Sequence, residues 1–188
     1  MTVKTDMSRF HIHDELTAPD ASARILKGVA SAGGSVSKFV GVLAGAPAAL
    51  RAYTRMRSEL RGGVLPSATR ERIALAVAED RGDPYSIAQH AKTARAVGLG
   101  LDEISRARSW SSADPGQAAL LAFLKALFEA DGRPAHHLLE EAREADWSDE
   151  QILEAVAHVA LSEFQSLMAN AAALPQDQSD PSVVPAAA

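Results

Sequence analysis

The chain contains no cysteine in its 188 residues. That absence excludes disulfides, thiolate metal sites and any mechanism that draws a thiol nucleophile from these residues. Aromatic residues make up 5% of the chain, against a hydrophobic fraction of 47%, much of it alanine. Strands favour β-branched and aromatic side chains, so this balance points to closely packed helices. Lys and Arg are scattered and the formal net charge is −5. Phosphate binding needs a concentrated basic footprint, so nucleic acid is not the expected partner. No apolar run is long enough to span a bilayer, so no membrane partner is expected. The opening "MTVKTDMSRFHIHDE" has no apolar centre of the secretory type, and a cytoplasmic location is the default expectation.

What is present is helical punctuation. The length suits one domain. Residues 1–19 are polar, and 175–188 ("PQDQSDPSVVPAAA") carry three prolines without periodicity. Both read as flexible segments flanking a domain over 20–174. Asp20 or Ser22 caps a helix that "AGG" ends. A short element covers about 36–44, and Pro47 opens a helix to about Arg61. Ser67 is the expected cap of the next helix, whose "IALAVA" centre is apolar on every side and should be buried. Gly82 suits a left-handed stop, Asp83 the following N-cap and Pro84 the first helical position. Further helices are expected over about 84–97, 102–108, 115–130, 134–145 and 148–173. No segment alternates with period two for long enough to form a strand, so the fold class is all-α.

The stretch "AEDRGDPYSIAQH" gathers the residues with chemical potential. Glu79 ends one helix, and His90 lies in the next on a stripe with Ser86, Thr93 and Val97. The turn at Gly82 brings Glu79 back toward the second helix, so a Glu79–His90 proton-transfer pair is expected. That reading requires the two side chains to face one hollow. The bland alternative treats Asp83 as a cap and His90 as hydrogen-bonded core. A third option makes Glu79, Asp83 and His90 ligands of a divalent ion, although capping already accounts for Asp83. In the last helix, Leu153, Ala157, Ala160, Phe164, Leu167 and Ala171 form an apolar stripe. The neighbouring stripe runs Ile152, Val156, Val159 and then turns polar at Glu163, Ser166 and Asn170. Either the helix leaves the core there, or Glu163 and Ser166 face a polar pocket. His136 and His137 are adjacent and cannot easily share a metal. No zinc, phosphate or dinucleotide motif occurs.

The stretch "GVLPSATRERIALAVAEDRGDPYSIAQHAKTARAVGLGLDEI" resembles the carboxymuconolactone decarboxylase, or alkylhydroperoxidase D-like, superfamily. The family pattern is a helix ending in Glu, a Cys-x-x-Cys pair, a His four residues after the second Cys, and an "A…GL…EI" continuation. Glu79, Tyr85, His90, Gly98, Leu99, Glu103 and Ile104 match it. "FHIHDELTAP", "FVGVLAGAPAALRAY", "SADPGQAALLAFLKALFEADG" and "WSDEQILEAVAHVAL" resemble further family blocks, so the likeness covers nearly the whole chain. It implies an alkylhydroperoxidase D-like helical bundle assembled with itself as trimers or hexamers. It also implies either thiol peroxidase chemistry or cofactor-free acid–base decarboxylation of lactone acids.

The departures fall where that chemistry sits. Asp83 and Ser86 occupy the two cysteine positions, and Ser162, Ser166 and Ala169 stand where asparagines are common. Trp110 stands where redox members often have glycine. Neither Asp nor Ser can form the disulfide of a peroxidase cycle. Two readings stay open. One is an acid–base decarboxylase or isomerase of a small organic acid or lactone. Glu79 and His90 would be catalytic, Asp83, Tyr85, Ser86, Glu163 and Ser166 would bind substrate, and no metal or cofactor would be used. The other is a catalytically degenerate scaffold or small-molecule binder, expected if Ile87, Trp110 or Met168 fills the volume near Ser86.

Overall fold

The computed structural model describes residues 8–31 and 36–176. The outer parts of both expected flexible ends, 1–7 and 177–188, and the "AGG" stop lie outside the described residues. Nine helices occur among those described: α1 (Asp20–Ser31), α2 (Lys38–Leu43), α3 (Pro47–Arg61), α4 (Ser67–Asp80), α5 (Pro84–Ala96), α6 (Leu101–Ala107), α7 (Pro115–Glu129), α8 (His136–Glu144) and α9 (Asp149–Ala172). They include no strand.

Local chemistry sets most of the boundaries. Gly82 adopts φ +56, a left-handed value that glycine takes without a Cβ clash. Asp83 then accepts a hydrogen bond from the Ser86 amide at 3.0 Å, and Pro84 starts α5. Asp114 caps α7 in the same way through the Gln117 amide, at 2.9 Å. Ser148 and Gln151 cap each other's backbone amides at the start of α9. One expectation shifts: Pro66 holds the cap position of α4 with no side-chain bond, and Ser67 is the first helical residue.

Helix α4 is the centre of the bundle, packed on α5, α6 and α9. Its residues from Ile73 to Ala78 are all buried, and each Ile, Leu or Val among them contributes about 1.5–3 kcal/mol by leaving water. The buried side chains fall into separate clusters, one of which joins Leu75 of α4 to Ala94, Leu99, Ile104 and Ala107. Another joins Val77 to Trp110, Leu120, Leu124 and Trp147. A third joins Leu26, Leu43, Leu50, Tyr53, Tyr85 and Leu161. The amides of Arg9 and His13 bond the carbonyls of Ala172 and Gly41, laying residues 8–18 against α2 and the end of α9.

In α9 the stripe that turns polar is buried at Ile152, Val159 and Ser166, while its Glu163 and Asn170 reach the surface. On the apolar stripe, Leu153 and Leu167 are each 69% exposed. No helix among the described residues is long and apolar enough to cross a membrane.

Candidate functional site

Four helices each turn one face toward a common hollow of about 250 Å³. Helix α3 contributes Arg57 and Arg61, α4 contributes Arg70 and Glu71, α5 contributes His90 and Thr93, and α9 contributes His158, Ser162 and Gln165. Spacings of three and four residues put the α3, α5 and α9 sets each on a single helical face, and Arg70 and Glu71 share theirs with Ser67 and Ala74. A second hollow of about 150 Å³ adjoins it. The two share Arg57, His90, Thr93 and Gln165, and the second adds Phe39, Tyr53, Tyr85 and Ser86. The volume beside Ser86 is therefore open rather than filled by Ile87, Trp110 or Met168.

His90 stands where the two hollows meet. Its Nδ1 lies 2.8 Å from Glu71 Oε2, and both side chains are mostly shielded, at 20% and 16% exposure. This corrects the expected pairing. Glu79 does not meet His90; it accepts a hydrogen bond from Arg108 Nε at 2.7 Å and lines neither hollow. The reason is register. Helices α4 and α5 run antiparallel away from the bend at Gly82, so residues at equal distances from the bend face each other. His90 lies about two turns beyond Asp83 and meets a residue about two turns before Glu79. That residue is Glu71, already present in the family-like stretch, and equal spacing from the bend was the signal that pointed to it.

The other expected site residues divide. Ser86 and Tyr85 line the second hollow, both nearly fully buried. The Tyr85 hydroxyl accepts a hydrogen bond from the Phe39 amide at 3.3 Å. Asp83 is 1% exposed and serves as the α5 cap; its Oδ2 has no hydrogen-bond partner and it lines neither hollow. Ser166 is buried in the bundle outside both hollows. Glu163 is turned outward, where it receives both Arg81 Nε at 2.5 Å and Nη2 at 2.6 Å. Glu79, Asp83 and His90 thus do not converge, and no cluster of three or more metal-ligating side chains occurs among the described residues.

Charge at the hollow is lopsided. Arg57 and Arg61 have no carboxylate partner among the described residues. Arg70 donates to the carbonyls of Leu60 and Arg61, at 3.3 and 2.7 Å. Among the described residues, Glu71 is the only acid lining the hollow. Burial lowers the pKa of His158 from its ordinary 6.5, and the nearby Arg70 charge lowers it further, against weaker opposition from Glu154. Burial raises the Tyr53 phenol above its ordinary value despite Arg57 nearby, so it stays protonated. Sequence reasoning missed Arg57, Arg61, Glu71 and His158. The two arginines stand four residues apart on α3, and that helical spacing was the available sign.

Comparisons with known proteins agree with this architecture. Residues 47–129, which run from α3 through α7, match the family model described as the Carboxymuconolactone decarboxylase family. Among solved structures, the chain is similar to an uncharacterized peroxidase-related protein with an alkylhydroperoxidase AhpD core from Ralstonia eutropha JMP134. The identity is 23%, with 92% of this chain and 93% of that one covered and a TM-score of 0.78. An uncharacterized peroxidase-related protein from Silicibacter sp. TM1040 is 19% identical, with 95% and 96% covered and a TM-score of 0.78. A protein of unknown function from Agrobacterium tumefaciens is 19% identical, with 73% and 96% covered and a TM-score of 0.67. No curated protein matches. With its helices in this arrangement the chain has the alkylhydroperoxidase D-like fold, and its residues 47–129 are similar to the carboxymuconolactone decarboxylase family but lack the Cys-x-x-Cys pair.

Proposed function

We propose that the protein is an acid–base enzyme acting on a small organic acid or lactone acid by proton transfer, as a decarboxylase or isomerase. The observation that carries this reading is the His90–Glu71 contact at 2.8 Å, set in a hollow rimmed by two arginines that have no carboxylate partner among the described residues. An ionised carboxylate only accepts hydrogen bonds, so Glu71 draws the ring proton to Nδ1 and leaves the Nε2 lone pair as the base. Glu71 then stabilises the imidazolium formed when His90 takes a proton, and His90 returns that proton to carbon after rearrangement or loss of carbon dioxide. Arg57 and Arg61 hold the anionic end of the substrate. Tyr85 and Ser86 line the adjoining hollow, where the rest of the molecule would lie. The absence of cysteine removes the thiol peroxidase cycle from these residues.

The test is a panel of lactone acids and short carboxylic acids in deuterated water, followed by NMR for deuterium incorporation and for carbon dioxide release. Glu71→Gln and His90→Ala should each lower turnover by about 10²–10⁴-fold, while Glu79→Gln should change it by less than about threefold. Equal losses from Glu71→Gln and Glu79→Gln would sink the assignment. A second reading, binding without turnover, is favoured by the commitment of Asp83 to capping; ligand binding with no exchange in any panel member would select it. Self-association, implied by the family likeness, is supported by the exposed Leu153 and Leu167 on α9. Sedimentation of the wild type as a monomer at tens of micromolar would refute it.

A further inference from the structure

The smaller hollow differs in chemistry from the larger one that it joins. Arg57, Arg61, Arg70 and Glu71 line the larger. Among the described residues, none that lines only the smaller hollow carries a charge, and three of them, Phe39, Tyr53 and Tyr85, are aromatic. The chain has only two tyrosines, two tryptophans and five phenylalanines, so both tyrosines and one phenylalanine meet at this one place. Phe39 and Tyr53 stand edge to face with centroids 5.0 Å apart, and Phe164 stacks on Tyr53 at 6.1 Å.

Hydrogen bonds between helices fix these rings. The Tyr85 hydroxyl on α5 accepts from the Phe39 amide on α2 at 3.3 Å. The Tyr53 hydroxyl on α3 accepts from Gln165 Nε2 on α9, also at 3.3 Å. Rings held in this way have lost their rotamer freedom before a ligand arrives, so binding does not have to order them. A ligand ring gains from edge-to-face or offset contact with them, beyond the apolar area it buries. Size agrees: the hollow holds about 150 Å³, and an apolar cavity of about that volume takes one benzene ring. The two hollows also set an order along the site. Arg57 and His90 line both, whereas Arg61 and Arg70 line only the larger. A molecule lying through both has its anionic end among the arginines, its middle beside His90 and its far end among the rings.

We infer that this site takes an aryl-substituted carboxylic acid, with the carboxylate against Arg57 and Arg61, a single aromatic ring in the smaller hollow among Phe39, Tyr53 and Tyr85, and the joining carbons beside His90. This deepens the acid–base reading and rests on it for the seat of the carboxylate. A ring-free acid of the same length keeps the arginine contacts and leaves the aromatic hollow to water.

The experiment is calorimetric titration of the full chain at pH 7.5 with phenylacetate, 3-phenylpropionate and 4-phenylbutyrate, each against acetate, propionate or butyrate. The best of the three phenyl acids should bind at least about tenfold more tightly than its ring-free counterpart. It should also bind at least about twofold more tightly than its cyclohexyl analogue, which is as apolar but has no π face. Val40 is partly buried and lines only the smaller hollow, so Val40→Trp fills that space. This variant should reduce the advantage of the ring to within about twofold and leave the affinity of the ring-free acid unchanged. Equal binding with and without the ring overturns the inference, as does tighter binding of the cyclohexyl analogue, a ring preference that survives in Val40→Trp, or failure of the wild type to bind any phenyl acid. NMR of the unmodified protein supplies a readout that no folding defect can blur. Nuclear Overhauser contacts are expected from the ligand ring to the rings of Phe39, Tyr53 or Tyr85, and contacts confined to Ala74, Val97 and Leu161 of the larger hollow overturn the inference. The two readings fail separately. A phenyl acid bound as described without deuterium exchange removes the catalytic step and leaves the ligand class, whereas exchange on ring-free acids with no preference for phenyl does the reverse.

Discussion

The two ends of the α4–α5 hairpin carry similar residue types and use them differently. At the bend, polar groups are joined within the chain: Glu79 to Arg108, the Trp110 indole to Asp80 at 2.7 Å, and Asp83 to the Ser86 amide. Only Asp83 Oδ2 is left over. About two turns away, Glu71 and His90 pair at the mouth of a hollow where Arg57 and Arg61 keep unused bonding capacity. Internally satisfied groups hold a fold together. Groups that remain unsatisfied around a cavity cost stability, and they are kept where a ligand repays that cost. Two acids on one helix thus have different fates, and the spacing around "RGDP" directs attention to the wrong one.

The largest stability effect should come from the bend end. Trp110 is 4% exposed, packs against Phe128 and takes φ 55, a left-handed value that costs an ordinary residue about 1–2 kcal/mol. Its burial and the bond to Asp80 offset that strain. Trp110→Ala should destabilise the protein by about 3–5 kcal/mol in urea titrations. A loss below about 1 kcal/mol would mean that the bend does not organise the core.

Next comes the latch behind α4. Glu103 accepts from Arg72 Nε at 2.8 Å, from the Ser112 hydroxyl and from the Ala113 amide at 3.1 Å. Burial pushes the Glu103 carboxyl up, but these bonds and the Arg72 charge outweigh it and leave the pKa below 4.5. Its contribution is therefore complete above about pH 4.5 and is lost as the pH falls through the lower folded value. Glu103→Gln should flatten the acid limb of a thermal-stability profile below that pH; an unchanged limb would assign the loss to other carboxylates.

The far end should show a different window. His158 has its folded pKa below 6.5, so the folded state resists a proton that the unfolded chain accepts. Its contribution is present above about pH 6.5 and declines as the pH falls from there through the folded value. Stability measured at pH 5.5 and 7.5 should differ less in His158→Phe than in the wild type; the same difference in both would show that His158 does not titrate with folding.

The smallest effect belongs to Glu163. Its pair with Arg81 is short but lies at the surface, where such pairs contribute about 0–1 kcal/mol. Glu163→Gln should leave both turnover and midpoint nearly unchanged. A large loss of turnover would return Glu163 to the site.

The sequence alone determined the helical class, the buried character of α4 and the bend, because these rest on local rules. Gly82 supplies the left-handed turn, Asp83 and Asp114 accept from amides three residues ahead, and Ser148 pairs with Gln151. Each device lies within one turn of the backbone it serves, so it can be read from adjacent letters. Tertiary structure alone decided that Glu71 rather than Glu79 meets His90, that Glu163 faces outward while Ser166 is buried, and that α3 brings arginines to the hollow. Those outcomes depend on the register of packed helices and on which faces meet, and a shift of one turn, about 5.4 Å, changes every partner without altering any local signal.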